Sequence, residues 1–163
     1  MSSVVFDSTV LIDLLNPKLC GDKRVALDYL VAELSKTRAR ILIPAPCLTE
    51  LLIRAASARD KYLQLLANTS AFEVIPYDKR AATECALLLE NAWDSRNKKA
   101  ITLTKFKFDW MIVACAASRN VGRIYSDDGD IFRCATQVKI QTIKQSELPV
   151  PSESRQMRLP DTP

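Results

Sequence analysis

Short, continuously apolar runs alternate along this chain with longer stretches whose apolar residues recur at helical spacing, and no other feature narrows the fold as far. Ser3-Val4-Val5-Phe6, Ile41-Leu42-Ile43, Phe72-Glu73-Val74-Ile75 and Gly122-Arg123-Ile124-Tyr125 are the candidate strands, closed by an acid, a proline or a Ser-Asp-Asp-Gly turn. A fifth, edge strand is predicted where Val138-Lys139-Ile140-Gln141-Thr142-Ile143 alternates. Between them lie helical segments. A short helix follows Asp7-Ser8-Thr9 from Val10 to Leu15, and Asn16-Pro17 stops it. From Lys23 to Lys36, Leu27, Leu30, Val31 and Leu34 form one face; Leu48, Leu51, Leu52 and Ala55 repeat the spacing after Pro44-Ala45-Pro46. Further helices are predicted over Asp60 to Ala67, over Lys79 to about Asn97 with Ala82, Cys85, Ala86, Leu89 and Trp93 on its stripe, and from Asp109 to about Arg119. The basic, aperiodic segment from Asn97 to Lys107 reads as a loop. Successive apolar residues on a strand require cover on both faces, so strands of this kind separated by helices give a parallel sheet with helices on both sides.

The 163 residues suffice for one domain with a real core and are too few for two ordinary ones. That domain is predicted over residues 1–148; from Pro149 to Pro163 the chain turns proline-rich, polar and aperiodic, and reads as a flexible tail. No stretch approaches the roughly 20 apolar residues of a membrane span, and Met1 to Asp7 lacks the basic and apolar regions of a secretion signal. Five scattered cysteines (Cys20, Cys47, Cys85, Cys115, Cys134) without a Cys-x-x-Cys pair read as reduced thiols buried as small hydrophobes. These points together predict a soluble cytoplasmic protein. There is no histidine, which disfavours zinc and excludes every mechanism that needs an imidazole base, leaving carboxylates, lysines, hydroxyls or metals. The net charge of +4 is a modest lean toward an anionic partner.

In an open parallel sheet, ligands collect at the carboxyl ends of the strands near the point where strand order reverses. Asp7 ends the first strand, Asp127 and Asp128 end the fourth, and Glu50 follows the second by one turn, so these acids share a sheet edge. Asp109 opens the helix before the fourth strand, and a simple strand-helix-strand path puts it at the opposite edge.

Four segments resemble the motifs of the PIN-domain nucleases, in that family's order. Val4-Val5-Phe6-Asp7-Ser8-Thr9-Val10-Leu11-Ile12 is similar to its opening strand, acid and small polar pair, and Pro46-Cys47-Leu48-Thr49-Glu50-Leu51 to its helix start with a glutamate. Phe108-Asp109-Trp110-Met111-Ile112-Val113-Ala114-Cys115-Ala116 resembles its Asp followed by an alanine-rich buried helix, and Tyr125-Ser126-Asp127-Asp128-Gly129-Asp130-Ile131-Phe132 its closing acids. The resemblance covers the chain to about Ile143. It implies a three-layer α/β/α sandwich on a mostly parallel sheet of about five strands, and it brings Asp109 into the acidic pocket, which the simple path does not.

A pocket of carboxylates needs a multivalent cation to relieve its repulsion, and oxygen ligands alone favour Mg²⁺ or Mn²⁺. The resemblance thus implies a metal-dependent endoribonuclease with Asp7 as central ligand and Glu50, Asp109 and Asp128 completing the site. Asp127 and Asp130 are further ligand candidates, and Thr9 or Ser126 supplies a supporting hydroxyl. Arg54 and Arg59 after Glu50, and Lys98, Lys99, Lys105 and Lys107 before Asp109, are candidate guides for RNA. Blander roles compete: a helix cap for Asp7, first-turn acids for Glu50 and Asp109, a turn for Asp127 to Asp130, and a solvated surface for the basic residues.

Most proteins of this kind are toxins of bacterial toxin-antitoxin pairs, which implies a small antitoxin partner and a homodimer. A free-standing RNA-processing nuclease and an inactive PIN-like binding module are the alternatives. A haloacid-dehalogenase-like phosphatase needs a second Asp where Thr9 stands, and a receiver domain needs an acid pair that is absent.

Overall fold

The computed structural model describes residues 2–92 and 103–152. Strands β1 (Ser3–Phe6), β2 (Arg40–Pro44), β3 (Phe72–Ile75), β4 (Arg123–Tyr125) and β5 (Gln141–Ile143) form one sheet in the order β3-β2-β1-β4-β5, every pair parallel. The chain builds outward from β1 to β3, then returns past β1 to lay down β4 and β5. Strand order therefore reverses between β1 and β4, where Val5 pairs with Ile124 and Phe6 with Tyr125. Helices α1 (Ser8–Leu15), α2 (Gly21–Lys36), α3 (Ala45–Ala55), α4 (Arg59–Asn68), α5 (Lys79–Ala92), α6 (Leu103–Ala117) and α7 (Gly129–Gln137) cover it.

Neighbouring strand residues point to opposite faces, so consecutive burial reports cover on both. Val4, Val5 and Phe6 are buried in succession, as are Ile41, Leu42 and Ile43, and the sandwich expected from those runs is what forms. Truncating Ile41 or Phe6 to alanine would cost about 2–5 kcal/mol, since neither side chain retains any exposure. Arg38, Asn120 and Lys139 take left-handed backbone conformations, with φ of 54°, 54° and 59°, and each turns the chain from a helix end into the next strand.

The β3-to-β4 crossing holds two packed helices. Arg119, just past α6, pairs at 3.0 Å with Asp78, just before α5, so α5 and α6 run antiparallel. Helix α6 ends a few residues before β4 begins, so it runs from the carboxyl edge to the amino edge, and its first turns lie at the carboxyl edge, where Lys105 meets Asp128 beyond β4. The expectation that placed Asp109 at the opposite edge is thereby corrected: a helix that leads into a parallel strand starts at the carboxyl edge, and Asp109 lies near that start.

Several expectations need correction. The loop assigned up to Lys107 is helical from Leu103, because Lys105 and Asp109 pair at i,i+4 and Phe106 and Trp110 pack edge to face. Asp109 and Glu50 accordingly sit in second turns, not first. On α5 the buried stripe is Ala81, Cys85 and Ala92, and Ala86 is exposed. Helix α7 is absent from the predicted elements, because its face of Ile131, Cys134 and Ala135 is short and follows directly on an acidic turn. Cys20 is exposed, since it precedes α2 in a polar connection, whereas the other four cysteines are buried. Lys98, Lys99, Trp93 and the tail from residue 153 lie outside the described residues.

Candidate active site

Asp7 is the hub of the carboxyl edge. Its extended backbone, φ −84° and ψ 179°, ends β1 and makes it the N-cap of α1, where Oδ1 accepts from the Thr9 and Val10 amides at 2.9 and 3.2 Å and from the Thr9 hydroxyl at 2.6 Å. Its other oxygen accepts from the Ser126 hydroxyl, which crosses from the end of β4. Asp7 is only 2% exposed. Burial pushes its carboxyl up to about 6, against the opposing pull of those hydrogen bonds.

The two hydroxyls tie neighbouring acids to this hub. Ser126 Oγ also accepts the Asp128 amide at 3.0 Å, and Thr9 Oγ1 accepts the Asp127 amide at 3.0 Å. Glu50, half-buried on α3, accepts from the hydroxyl of Ser8, the residue after Asp7. Asp109 is 5% exposed and is likewise pushed up to about 6, by burial first and then by the charges of Asp128 and Glu50, while Lys105 opposes. The Lys105 ammonium reaches both Asp109 and Asp128, and Asp128 and Glu50 line one hollow, so the three acids face one region.

Lys105 bridges the far side of the group. Its Nζ lies 3.2 Å from Asp109, 3.2 Å from Asp128 and 2.7 Å from Asp130. Asp128 also caps α7 through the Asp130 amide at 2.7 Å, and Asp130 pairs with Arg133. Asp127 stands apart. Its oxygens accept from the Gln145 amide and from Gln145 Nε2, each at 2.8 Å, on the opposite side that strand alternation predicts.

Ser8, Thr9, Ile12, Glu50, Ile53, Arg54 and Asp128 line an open hollow of about 480 Å³. A larger one, about 820 Å³, lies at the other edge among Ser2, Ser3, Asn120 and Gly122 and holds none of the candidate acids. Of the basic candidates, Arg54 lines the smaller hollow and Lys107 is exposed, while Arg59 donates to the Leu52 carbonyl at 2.9 Å. Lys105, a candidate guide for RNA, engages the acids; its i,i+4 spacing to Asp109 was the available signal. Ser8 and Gln145 were not singled out, because a serine beside an acid and a lone glutamine carry no spacing signature. Cys47 is buried, and burial with the nearby Asp7 and Glu50 charges holds its thiol well above the usual range, so it is inert as a nucleophile.

Among the described residues, no group of three or more Asp, Glu, Cys or His has ligand geometry for a metal as the side chains stand. The chemistry of the donor set nevertheless fits a hard cation. The donors are carboxylate oxygens, two of them buried in sites that disfavour their charge, and the group already holds one positive charge, the Lys105 ammonium.

The family model for the PIN domain matches residues 4–136. The chain belongs to the PIN domain family. Solved structures similar to this PIN domain include VapBC2 from Rickettsia felis bound to a promoter DNA fragment, at 14% identity and a TM-score of 0.64, covering 87% of this chain and 98% of that one. VapBC from Salmonella typhimurium, bound to DNA, matches at 17% identity and a TM-score of 0.61, over 89% and 99% of the two chains. Mycobacterium tuberculosis VapC20, described as a Sarcin-Ricin loop cleaving toxin, matches at 17% and 0.53, over 80% and 93%. At such identities the likeness establishes the fold alone. No curated protein matches the sequence. Among the described residues no helix is long and apolar enough to cross a membrane.

Proposed function

We propose that this PIN domain is a Mg²⁺- or Mn²⁺-dependent endoribonuclease in which Asp7, Glu50, Asp109 and Asp128 hold the ion. The observation that carries the reading is the convergence of four chain segments on the strand-order reversal: Ser126 joins Asp7 to Asp128, Ser8 joins Asp7's own turn to Glu50, and Asp109 feels the charges of Asp128 and Glu50. When bound, the ion supplies an acidified water and neutralises charge growing on a phosphodiester, which a chain without histidine cannot do through an imidazole. The chain's own residues orient the carboxylates. Ser126 and Thr9 fix Asp7, Ser8 fixes Glu50, and the α7 amide at Asp130 fixes Asp128. Arg54, on the rim of the hollow beside Glu50, is placed to meet a backbone phosphate, a contact that carries charge and no sequence information.

The likeness to a structure described as a member of the VapBC family of toxin-antitoxin systems supports a toxin restrained by a small antitoxin protein, and the family resemblance adds a homodimer. An adjacent short reading frame whose product binds this chain would bear that out. One observation favours a second reading, an inactive PIN module: Lys105 already neutralises part of the acidic group. Incubation with end-labelled RNA separates the two. The nuclease reading expects cleavage with Mg²⁺ or Mn²⁺ that EDTA and Asp7→Asn each abolish. Equal cleavage by the variant, or none by the wild type, would refute it.

A further inference from the structure

We propose that Lys105 is a tethered counter-ion, seated among Asp109, Asp128 and Asp130, which a divalent cation must displace before it can occupy the acidic group. The inference rests on the reading of those acids as a metal-holding set. An ammonium carries three donors, and here three carboxylates, from α6, the β4-to-α7 turn and the first turn of α7, lie at 3.2, 3.2 and 2.7 Å from it. The acids are the enclosed partners: side-chain exposure is 8% at Asp109, 16% at Asp130 and 30% at Asp128, against 44% at the lysine. The anions are therefore fixed by the fold, whereas the cation reaches them on a flexible, more exposed stem.

The arrangement has a consequence for the empty and loaded forms. Without a divalent ion, the ammonium offsets repulsion among carboxylates that α6, the β4-to-α7 turn and α7 bring together, which stabilises the start of α7 against α6. With one, ammonium and metal compete for Asp109 and Asp128, so the measured affinity is the intrinsic affinity reduced by the work of expelling Lys105. Lys105 thus sets the concentration at which the site loads. It raises the requirement for metal and keeps the metal-free fold intact.

The test is calorimetric titration of Mn²⁺ into the wild type, Lys105→Met, Lys105→Arg and Asp7→Asn. Lys105→Met should bind Mn²⁺ more tightly by about tenfold or more, and Lys105→Arg should stay close to the wild type. In EDTA, Lys105→Met should melt below the wild type, and saturating Mn²⁺ should raise its melting temperature by more. Should Lys105→Met fail to fold, Lys105→Gln replaces it, and in the wild type the Lys105 side-chain ¹⁵N resonance should move as Mg²⁺ binds. Equal affinities for the wild type and the neutral variant, with weaker binding by Asp7→Asn, would overturn the role of Lys105 and leave the metal reading standing. Weaker binding by the neutral variant would also overturn it, making Lys105 a support for the acids. No Mn²⁺ binding by any of the proteins would overturn both.

Discussion

The Ser126 hydroxyl donates a hydrogen bond to Asp7, a carboxylate 119 positions earlier in the chain. The bond spans the junction of β1 and β4, where the sheet reverses its order, and Ser126 is fully buried there. One face of Asp7 serves local structure as the cap of α1, and the other belongs to the tertiary group. That division makes structure and chemistry separable by mutation.

Asp7→Asn keeps an oxygen for the Thr9 and Val10 amides and removes the charge, whereas Asp7→Ala removes both. The asparagine variant should unfold close to the wild type and lose RNA cleavage. The alanine variant should lose cleavage and about 1–2 kcal/mol of stability, the worth of an N-cap. Thermal melts beside cleavage assays check this; cleavage retained by the asparagine variant would leave Asp7 as a cap and nothing more.

The raised carboxyl of Asp7 makes the metal-free fold pH-dependent in a stated direction. Its value is about 6 folded against an ordinary 3.8 unfolded, so the folded chain binds the proton more tightly. The associated stability is fully present below pH 4, falls as pH rises from 4 to 6, and is gone above; over that window it amounts to roughly 3 kcal/mol at most. Asp109 acts in the same sense. Asp78, lowered chiefly by the Ala81 amide, acts in the opposite sense, with stability lost as pH falls through the acid range. Denaturant unfolding in EDTA isolates Asp7: wild type minus Asp7→Asn should decline between pH 4 and 6 and then level off. A difference that is flat across that window would contradict the assignment.

Ser8 and Ser126 act through the carboxylates they hold. Ser8→Ala and Ser126→Ala should each weaken Mn²⁺ binding by about 10–100-fold, the usual effect of removing a partner of a ligand, with the fold retained. Calorimetry reads the affinity and circular dichroism the fold. Unchanged affinity in both would mean that the hydroxyls serve packing alone.

Asp127 and Asp128 are neighbours with different duties. Asp127→Asn gives up part of a double contact with Gln145, so it should cost about 1 kcal/mol and leave cleavage near the wild-type rate. Asp128→Asn should cripple cleavage. Reversed outcomes in a side-by-side kinetic assay would exchange the two assignments.

The parallel sheet was legible because burial on both faces writes itself as successive apolar residues, as at Val4-Val5-Phe6 and Ile41-Leu42-Ile43. Asp7 was legible as an acid at a strand end, and Glu50 as one on the helix just beyond the second strand. Asp109 was not, since the sequence expectation ran its helix the wrong way; a helix feeding a parallel strand starts at the carboxyl edge, and the family resemblance supplied the placement. Helix α7 was hidden by its shortness, with one apolar face of Ile131, Cys134 and Ala135. The lysine at 105 shows the limit most clearly. Its pairing with Asp109 is local and readable, but its reach to Asp128 and Asp130 exists only after β4 and α6 have come together.

The most direct measurement of the account is anomalous diffraction from crystals soaked in Mn²⁺. One or two peaks bounded by the carboxylates of Asp7, Glu50, Asp109 and Asp128, and missing in Asp7→Asn crystals, are expected. Ordered crystals that show no peak among those four residues, while the soaked protein cleaves RNA, would place the chemistry elsewhere and contradict the account.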